Sequence, residues 1–221
     1  MLDIIEAESG PDPTATILIL HGLGADGNDF VPIAQELQLE AVGPVRFIFP
    51  HAPVMPVTIN NGMRMRAWYD ILGFDDASAQ DEAGLRRSQQ LVEALLKREK
   101  ERGVPAHRIV LGGFSQGCAI SLLTGLRHPE RLAGIMGLSG YLPLADKTAA
   151  EATAAGRQTP VFLAHGTHDE VVALERAEAS RDALQALGCE VEWHEYLMGH
   201  AVSPLEIEEM NAWLVRVLGQ G

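Results

Sequence analysis

The sequence predicts an α/β fold: a three-layer sandwich with a mostly parallel, twisted sheet flanked by helices. Three observations point to it. Short apolar, β-branched runs recur along the whole 221-residue chain, and helical patterns alternate with them. The runs are also continuously hydrophobic rather than alternating, so each strand is expected to be buried on both faces. A content of 47% hydrophobic and 21% charged residues suits one globular domain over residues 1–221.

The elements follow in order. Strands are expected at 16–20, 45–49, 109–112, 132–138, 161–164 and 191–196, each bounded by Gly, Pro or polar turn residues. Helices are expected at 28–39, 83–102, 115–127, 174–187 and 204–218. The second is the clearest, with Leu85, Leu91, Val92, Leu95 and Leu96 on one face and charges opposite. The Ala-rich stretch 148–155 reads as a short surface helix. The acidic cluster Asp75, Asp76, Asp81 and Glu82 reads as a solvated loop.

Composition excludes several function classes. A formal net charge of −13 argues against nucleic acid as a partner and against stable docking on anionic membranes. No apolar run approaches the roughly 20 residues that span a bilayer. The N-terminus, Met1-Leu2-Asp3-Ile4-Ile5-Glu6, lacks the basic and long apolar regions of a signal peptide. Two cysteines, Cys118 and Cys189, make no disulfide framework. A cytoplasmic location is expected.

The motif carrying most chemistry is Gly113-Phe114-Ser115-Gln116-Gly117, between the apolar run Arg108-Ile109-Val110-Leu111-Gly112 and a helical stretch from Cys118. Strand, Gly-x-Ser-x-Gly, helix is the context of a nucleophile elbow, which lifts a serine Oγ clear of the sheet. The helix N-terminus beside it favours developing negative charge. An activated serine needs a base, and the base an orienting carboxylate; on this fold they follow in the order Ser, acid, His. Asp169 suits the acid, in the turn His165-Gly166-Thr167-His168-Asp169 after the fifth strand, with Glu170 the weaker alternative. His200 suits the base: it follows the last strand through Leu197-Met198-Gly199, where the glycine lets the loop bend. His168 precedes the acid and breaks the chain order. An oxyanion needs two backbone N–H donors. One is expected from Gln116 and the other from Leu23, in the glycine-rich loop His21-Gly22-Leu23-Gly24-Ala25-Asp26-Gly27. His21 reads as structural, its ring bonded to nearby backbone. No H-x-x-x-H pair on a helix and no C-x-x-C is present, so neither metal nor cofactor is expected.

Taken together, His21-Gly22-Leu23-Gly24, Arg66-Ala67-Trp68-Tyr69-Asp70, Gly113 to Gly117, Leu138-Ser139-Gly140-Tyr141-Leu142, His165 to Asp169 and Gly199-His200 resemble the phospholipase/carboxylesterase family. The resemblance runs from about Thr16 to Leu218. It implies a compact α/β-hydrolase fold without a large cap, and cofactor-free hydrolysis of carboxylic or thioester bonds. It places the nucleophile on Ser115, the acid on Asp169, the base on His200 and the oxyanion donors on Leu23 and Gln116. The Arg66 to Asp70 match implies a substrate-side loop at 62–80, where Met63, Met65, Trp68, Ile71, Leu72 and Phe74 are candidates to line an acyl groove. Trp68 and Tyr69 also read as core aromatics. Val171 joins the acyl-pocket candidates, although Glu170-Val171-Val172-Ala173 departs from the family's Pro-x-Val-Pro and puts that pocket's shape in question.

Three readings follow. The first is a carboxylesterase on short- to medium-chain acyl esters, with thioesters a close variant. The second is a lysophospholipase or acyl-protein thioesterase acting on lipid-derived substrates. The third is a ligand receptor on a hydrolase scaffold, which would be expected to lack a triad member. An apolar rim around an uncapped site also suits a homodimer.

Overall fold

The computed structural model describes residues 2–73 and 80–219. Its strands in chain order are β1 (Ile4–Glu8), β2 (Ala15–Leu20), β3 (Val45–Pro50), β4 (Val54–Val57), β5 (Met63–Arg66), β6 (Ile109–Phe114), β7 (Gly134–Leu138), β8 (Val161–Gly166) and β9 (Val191–Tyr196). Seven of them form one sheet in the order β1-β3-β2-β6-β7-β8-β9, and β4 and β5 form a separate hairpin. From β3 to β9 every neighbour is parallel, whereas β1 runs antiparallel to β3. The α-helices are α1 (Val31–Glu36), α2 (Glu82–Glu101), α3 (Gln116–Gly125), α4 (Ala145–Glu151), α5 (Ala154–Arg157), α6 (Leu174–Ala186) and α7 (Pro204–Leu218).

Strand alternation sorts the core into layers, because successive side chains point to opposite faces. Ile17 and Ile19 of β2 pack with Phe47 and Phe49 against Met210, Trp213 and Leu214 of α7. Leu18 and Leu20 point the other way, with Ile48 and Leu111, onto Leu85, Val92, Leu95 and Leu96 of α2. A third cluster seats Leu122 of α3 and Leu184 of α6 on Ile135, Val161 and Leu163. Each fully buried aliphatic side chain contributes about 1.5–3 kcal/mol of transfer free energy. The strands β2, β3, β7 and β8 are buried along their whole length, in keeping with a sheet covered on both faces.

Several local expectations need correction. The helix expected at 28–39 is a 3-10 turn, Gly27–Phe30, followed by the six-residue α1. Pro32 suits only a first helical turn, so the α-helix starts there. Residues 148–155 divide between α4 and α5, broken at Ala152, which is extended. The strand β9 is only half-buried, because it is the edge of the sheet. The substrate-side segment is not a loop beginning at residue 62: its first part is β5, paired in register with β4, Val57 opposite Met63 and Val54 opposite Arg66. Asp81 is not part of a solvated loop. One carboxylate oxygen caps α2 through Gly84 N–H at 2.9 Å and the other accepts the Asp70 N–H at 2.9 Å. Glu82 pairs with Arg86 and Lys147. Asp75 and Asp76 lie outside the described residues.

The C-terminal ends of β2, β6, β8 and β9 lead into the segments bearing Leu23, Ser115, Asp169 and His200 respectively. These four parallel strands therefore deliver all the candidate groups to one edge, where doubly wound sheets carry their sites.

Candidate active site

The elbow is built by close approach. Ser115 has φ 56° and ψ −115°, a left-handed conformation for a side-chain-bearing residue, at a cost of order 1–3 kcal/mol. Its N–H is held by Leu138 O at 2.9 Å. A Cβ on Gly113 would stand 2.3 Å from the Gly117 carbonyl carbon, and one on Gly117 only 2.1 Å from Leu20 O. Both obstacles are backbone, so the flanking glycines are required by space.

Asp169 and His200 meet across the ends of β8 and β9. His200 Nδ1 is 2.7 Å from Asp169 Oδ2. Since a carboxylate accepts, this nitrogen carries the proton and Nε2 is left as the basic atom. Asp169 Oδ1 accepts N–H bonds from Val171 and Val172, both at 2.8 Å. The Asp169 side chain has no exposed surface and that of His200 is 18% exposed, so the carboxylate is dry and the imidazole reaches solvent. Glu170 is exposed, and of the two carboxylates it is Asp169 that meets the imidazole. His168 is exposed too, with Nδ1 beside its neighbour Thr167 Oγ1 at 3.2 Å. The two loops are stitched together by Thr167 N–H to Tyr196 O at 2.8 Å and His168 N–H to Met198 O at 3.0 Å. The close approach that demands glycine falls on Gly166, where a Cβ would meet the Met198 and Gly199 carbonyl oxygens at 2.4 Å, and not on Gly199, where φ is not left-handed. His165 is buried beneath, its Nε2 2.8 Å from Val172 O and 3.4 Å from Asp169 Oδ2.

Two contacts bring these parts to Ser115. The His200 ring packs on that of Phe114 with centres 4.7 Å apart. A Cβ on Gly22 would lie 3.4 Å from Ser115 Cβ, so the glycine-rich loop borders the serine. Gly24 and Ala25 donate their N–H groups to Arg66 O and Gly22 O, while the Leu23 N–H has no acceptor among the described residues. Gln116 opens α3, where the leading N–H groups lack intrahelical partners.

His21 is structural, as the sequence suggests. Its Nε2 accepts Ala52 N–H at 3.0 Å, which puts the proton on Nδ1, bonded to Gly22 O at 2.7 Å. Burial holds its pKa below the usual histidine range. Cys118, buried behind the elbow, has its thiol pushed up to about 12 by burial and is inert as a nucleophile at neutral pH.

The acyl-groove candidates divide. Met65 is half-buried, with its sulfur next to Gly24. Leu72 and Val171 are exposed and Ile71 is packed on the core. Phe74 lies outside the described residues. Trp68 is a correction: it is 2% exposed and its indole N–H is bonded to His21 O at 2.8 Å, so it supports the site and does not line an open groove. Sequence reasoning missed Leu142, Ala145 and Arg176, which line a cavity of about 760 Å³ alongside Asp169, Val171 and Val172. Arg176 lies 3.4 Å above the Tyr141 ring, and Tyr141 shares a 2.7 Å hydroxyl hydrogen bond with Tyr69. No motif marks Ala145 or Arg176, which come from separate elements, and Leu142 stands in the Leu138 to Leu142 motif without a signal that it lines a cavity. A second cavity, about 630 Å³, opens between α1 and β3 and is lined by Val31, Leu37, Phe47 and Phe49 without a histidine. The first borders the Asp169 loop, and neither is lined by Ser115 or His200.

The family model for phospholipases and carboxylesterases matches residues 3–218. The chain belongs to that family. It is a serine hydrolase of carboxylic esters on the α/β-hydrolase fold, which sets aside the receptor reading. It is 43% identical over 206 residues to acyl-protein thioesterase 1 of Yarrowia lipolytica, covering 91% of each chain. To acyl-protein thioesterase 1 of Mycosarcoma maydis it is 44% identical, covering 97% of this chain and 96% of the other. Among solved structures, SOBER1 of Arabidopsis thaliana superposes with a TM-score of 0.88 at 32% identity, over 92% of this chain and 99% of that one. Zea mays acyl-protein thioesterase 2 gives 0.84 at 31% identity, over 97% and 99%. No helix among the described residues is long and apolar enough to cross a membrane.

Proposed function

We propose that Ser115, Asp169 and His200 form a catalytic triad that cleaves short- to medium-chain acyl esters or thioesters through an acyl-enzyme. The observation that carries this reading is the 2.7 Å bond between His200 and Asp169, with the His200 ring seated on the residue before Ser115.

His200 Nε2 takes the Ser115 Oγ proton as Oγ attacks the acyl carbon. The carbonyl oxygen becomes an oxyanion, held by the N–H groups of Leu23 and Gln116. Asp169 orients the imidazole and stabilises its positive charge without accepting the proton. The C–O or C–S bond then breaks, and His200 returns its proton to the leaving alkoxide or thiolate. A water molecule, deprotonated by His200, attacks the acyl-enzyme, and the acid departs as Ser115 regains its proton.

Thioesters have their own support, since relatives at 43–44% identity carry the name acyl-protein thioesterase. The net charge of −13 favours substrates met in solution over those embedded in an anionic membrane. A cytoplasmic, single-domain enzyme fits the two unpaired cysteines and the one continuous sheet.

A panel of p-nitrophenyl esters, acyl thioesters and lysophospholipids compared by kcat/KM tests the proposal. Each CH₂ buried adds about 0.8 kcal/mol, so kcat/KM climbs over the first several carbons and then flattens. With no large cap among the described residues to open, no jump at a micellar interface is expected. Strong interfacial activation on triacylglycerols would make the protein a lipase and defeat the reading.

A further inference from the structure

The two oxyanion donors belong to separate segments, Leu23 in the loop after β2 and Gln116 at the start of α3 after β6, and one short stretch of chain is bonded to both. Arg66 O accepts the Gly24 N–H at 2.9 Å. The Trp68 indole N–H donates to His21 O at 2.8 Å. These bonds bracket Leu23 on both sides. The Gln116 side chain then closes on the same stretch: its Oε1 accepts Trp68 N–H at 3.0 Å and its Nε2 donates to Tyr69 O at 2.9 Å.

The stretch is anchored independently. Ser88 Oγ donates to Trp68 O, and Ala67 N–H donates to Pro53 O at 3.0 Å. Gln116 is 3% exposed, so its amide bonds are made out of water, where a lost partner leaves a costly orphan. Any residue but proline at position 116 supplies a backbone N–H. What glutamine adds is an amide that reads one donor and one acceptor of the passing backbone, as a neighbouring strand would.

We propose that Arg66–Tyr69 is a strap that sets the spacing of the two oxyanion donors, with the Gln116 side chain the positioning group through which it acts on the second. This role rests on the triad reading above. It explains a Trp-Tyr pair beside the site whose polar groups face the scaffold. A displacement near 1 Å costs about 10²-fold in rate, and a lost oxyanion donor about 10²–10³.

The test uses Gln116→Met, similar in volume but without the amide. Thermal stability, kcat and KM on p-nitrophenyl butyrate, and affinity for phenylboronic acid, which adds to the serine as a tetrahedral mimic, are measured together. In a folded variant kcat falls about 10- to 100-fold, KM stays within about twofold, and boronate affinity weakens in step with kcat. The shape of the pH–rate profile is unchanged. Unchanged kcat and boronate affinity would overturn the proposal, as would a raised KM at constant kcat, which marks a substrate wall. If Gln116→Met does not fold, Trp68→Phe decides: it keeps a ring and removes one bond, and wild-type kcat and boronate affinity there would overturn the strap. An enzyme that depends on Ser115 but ignores these changes defeats the strap alone. A wild-type protein that hydrolyses no ester defeats the triad reading with it.

Discussion

The His200 ring packs on the Phe114 ring at 4.7 Å between centres. Phe114 is the last residue of β6 and Ser115 follows it, so this contact places the end of the β9 loop over the elbow. The other edge of the same imidazole is fixed 2.7 Å from Asp169 Oδ2. One ring is thus set by packing on one side and by a charge-assisted hydrogen bond on the other.

That arrangement ranks the substitutions. His200→Ala removes the base and is expected to lower kcat by about 10⁴–10⁶. Asp169→Asn leaves more residual activity, because it spoils the tautomer of a base that is still present. His168→Ala leaves activity near wild type. Steady-state kinetics on an aryl ester checks all three; inactivation by His168→Ala with His200→Ala active would refute the assignment.

The elbow glycines answer to space. In Gly117→Ala the new methyl would sit 2.1 Å from Leu20 O, a backbone obstacle at the end of the buried strand β2 with no rotamer to yield. Overpacking of this kind costs about 1–3 kcal/mol, so both melting temperature and activity should fall. Differential scanning fluorimetry beside an activity assay checks this. A variant with wild-type stability and rate would contradict the packing account.

Stability should also report on Glu206. Its side chain is buried in the first turn of α7, where it closes a capping box with Ser203 and leaves Oε1 without a hydrogen-bond partner among the described residues. Burial pushes its pKa up to about 7 from 4.5, with nearby Glu209 adding to the rise and the Ser203 N–H opposing it. The folded state therefore binds the proton more tightly than the unfolded chain. Stability from this group is full below about pH 4.5 and is lost as pH rises through about 7, by on the order of 2–3 kcal/mol. Glu206→Gln keeps the cap and removes the titration. Denaturant unfolding at pH 5 and pH 8 should show the variant gaining on wild type at the higher pH; an equal difference at both would refute it.

Much of this was legible in the sequence because the buried parallel strands are continuous apolar runs and the proposed triad residues follow chain order on their C-terminal ends. Ser115, Asp169 and His200 each sit a few residues beyond such a run. The hairpin of β4 and β5 was not legible. Its strands are four residues each, carry Pro56, Arg64 and Arg66 and are largely exposed, so no hydrophobic period marks them. The strand β1 has the same difficulty, as a partly exposed antiparallel edge. Trp68 was placed among the lining residues by the family resemblance, whereas its reading as a core aromatic is the one its burial and its bond to His21 O support.

Covalent labelling tests the central claim most directly. The protein is treated with a fluorophosphonate, which reacts with activated serines, and the adduct is located by peptide mass spectrometry. One adduct, on Ser115, is expected, with no labelling of Ser115→Ala or His200→Ala. An adduct on Ser139 or Ser203, or undiminished labelling of Ser115→Ala, would contradict the account.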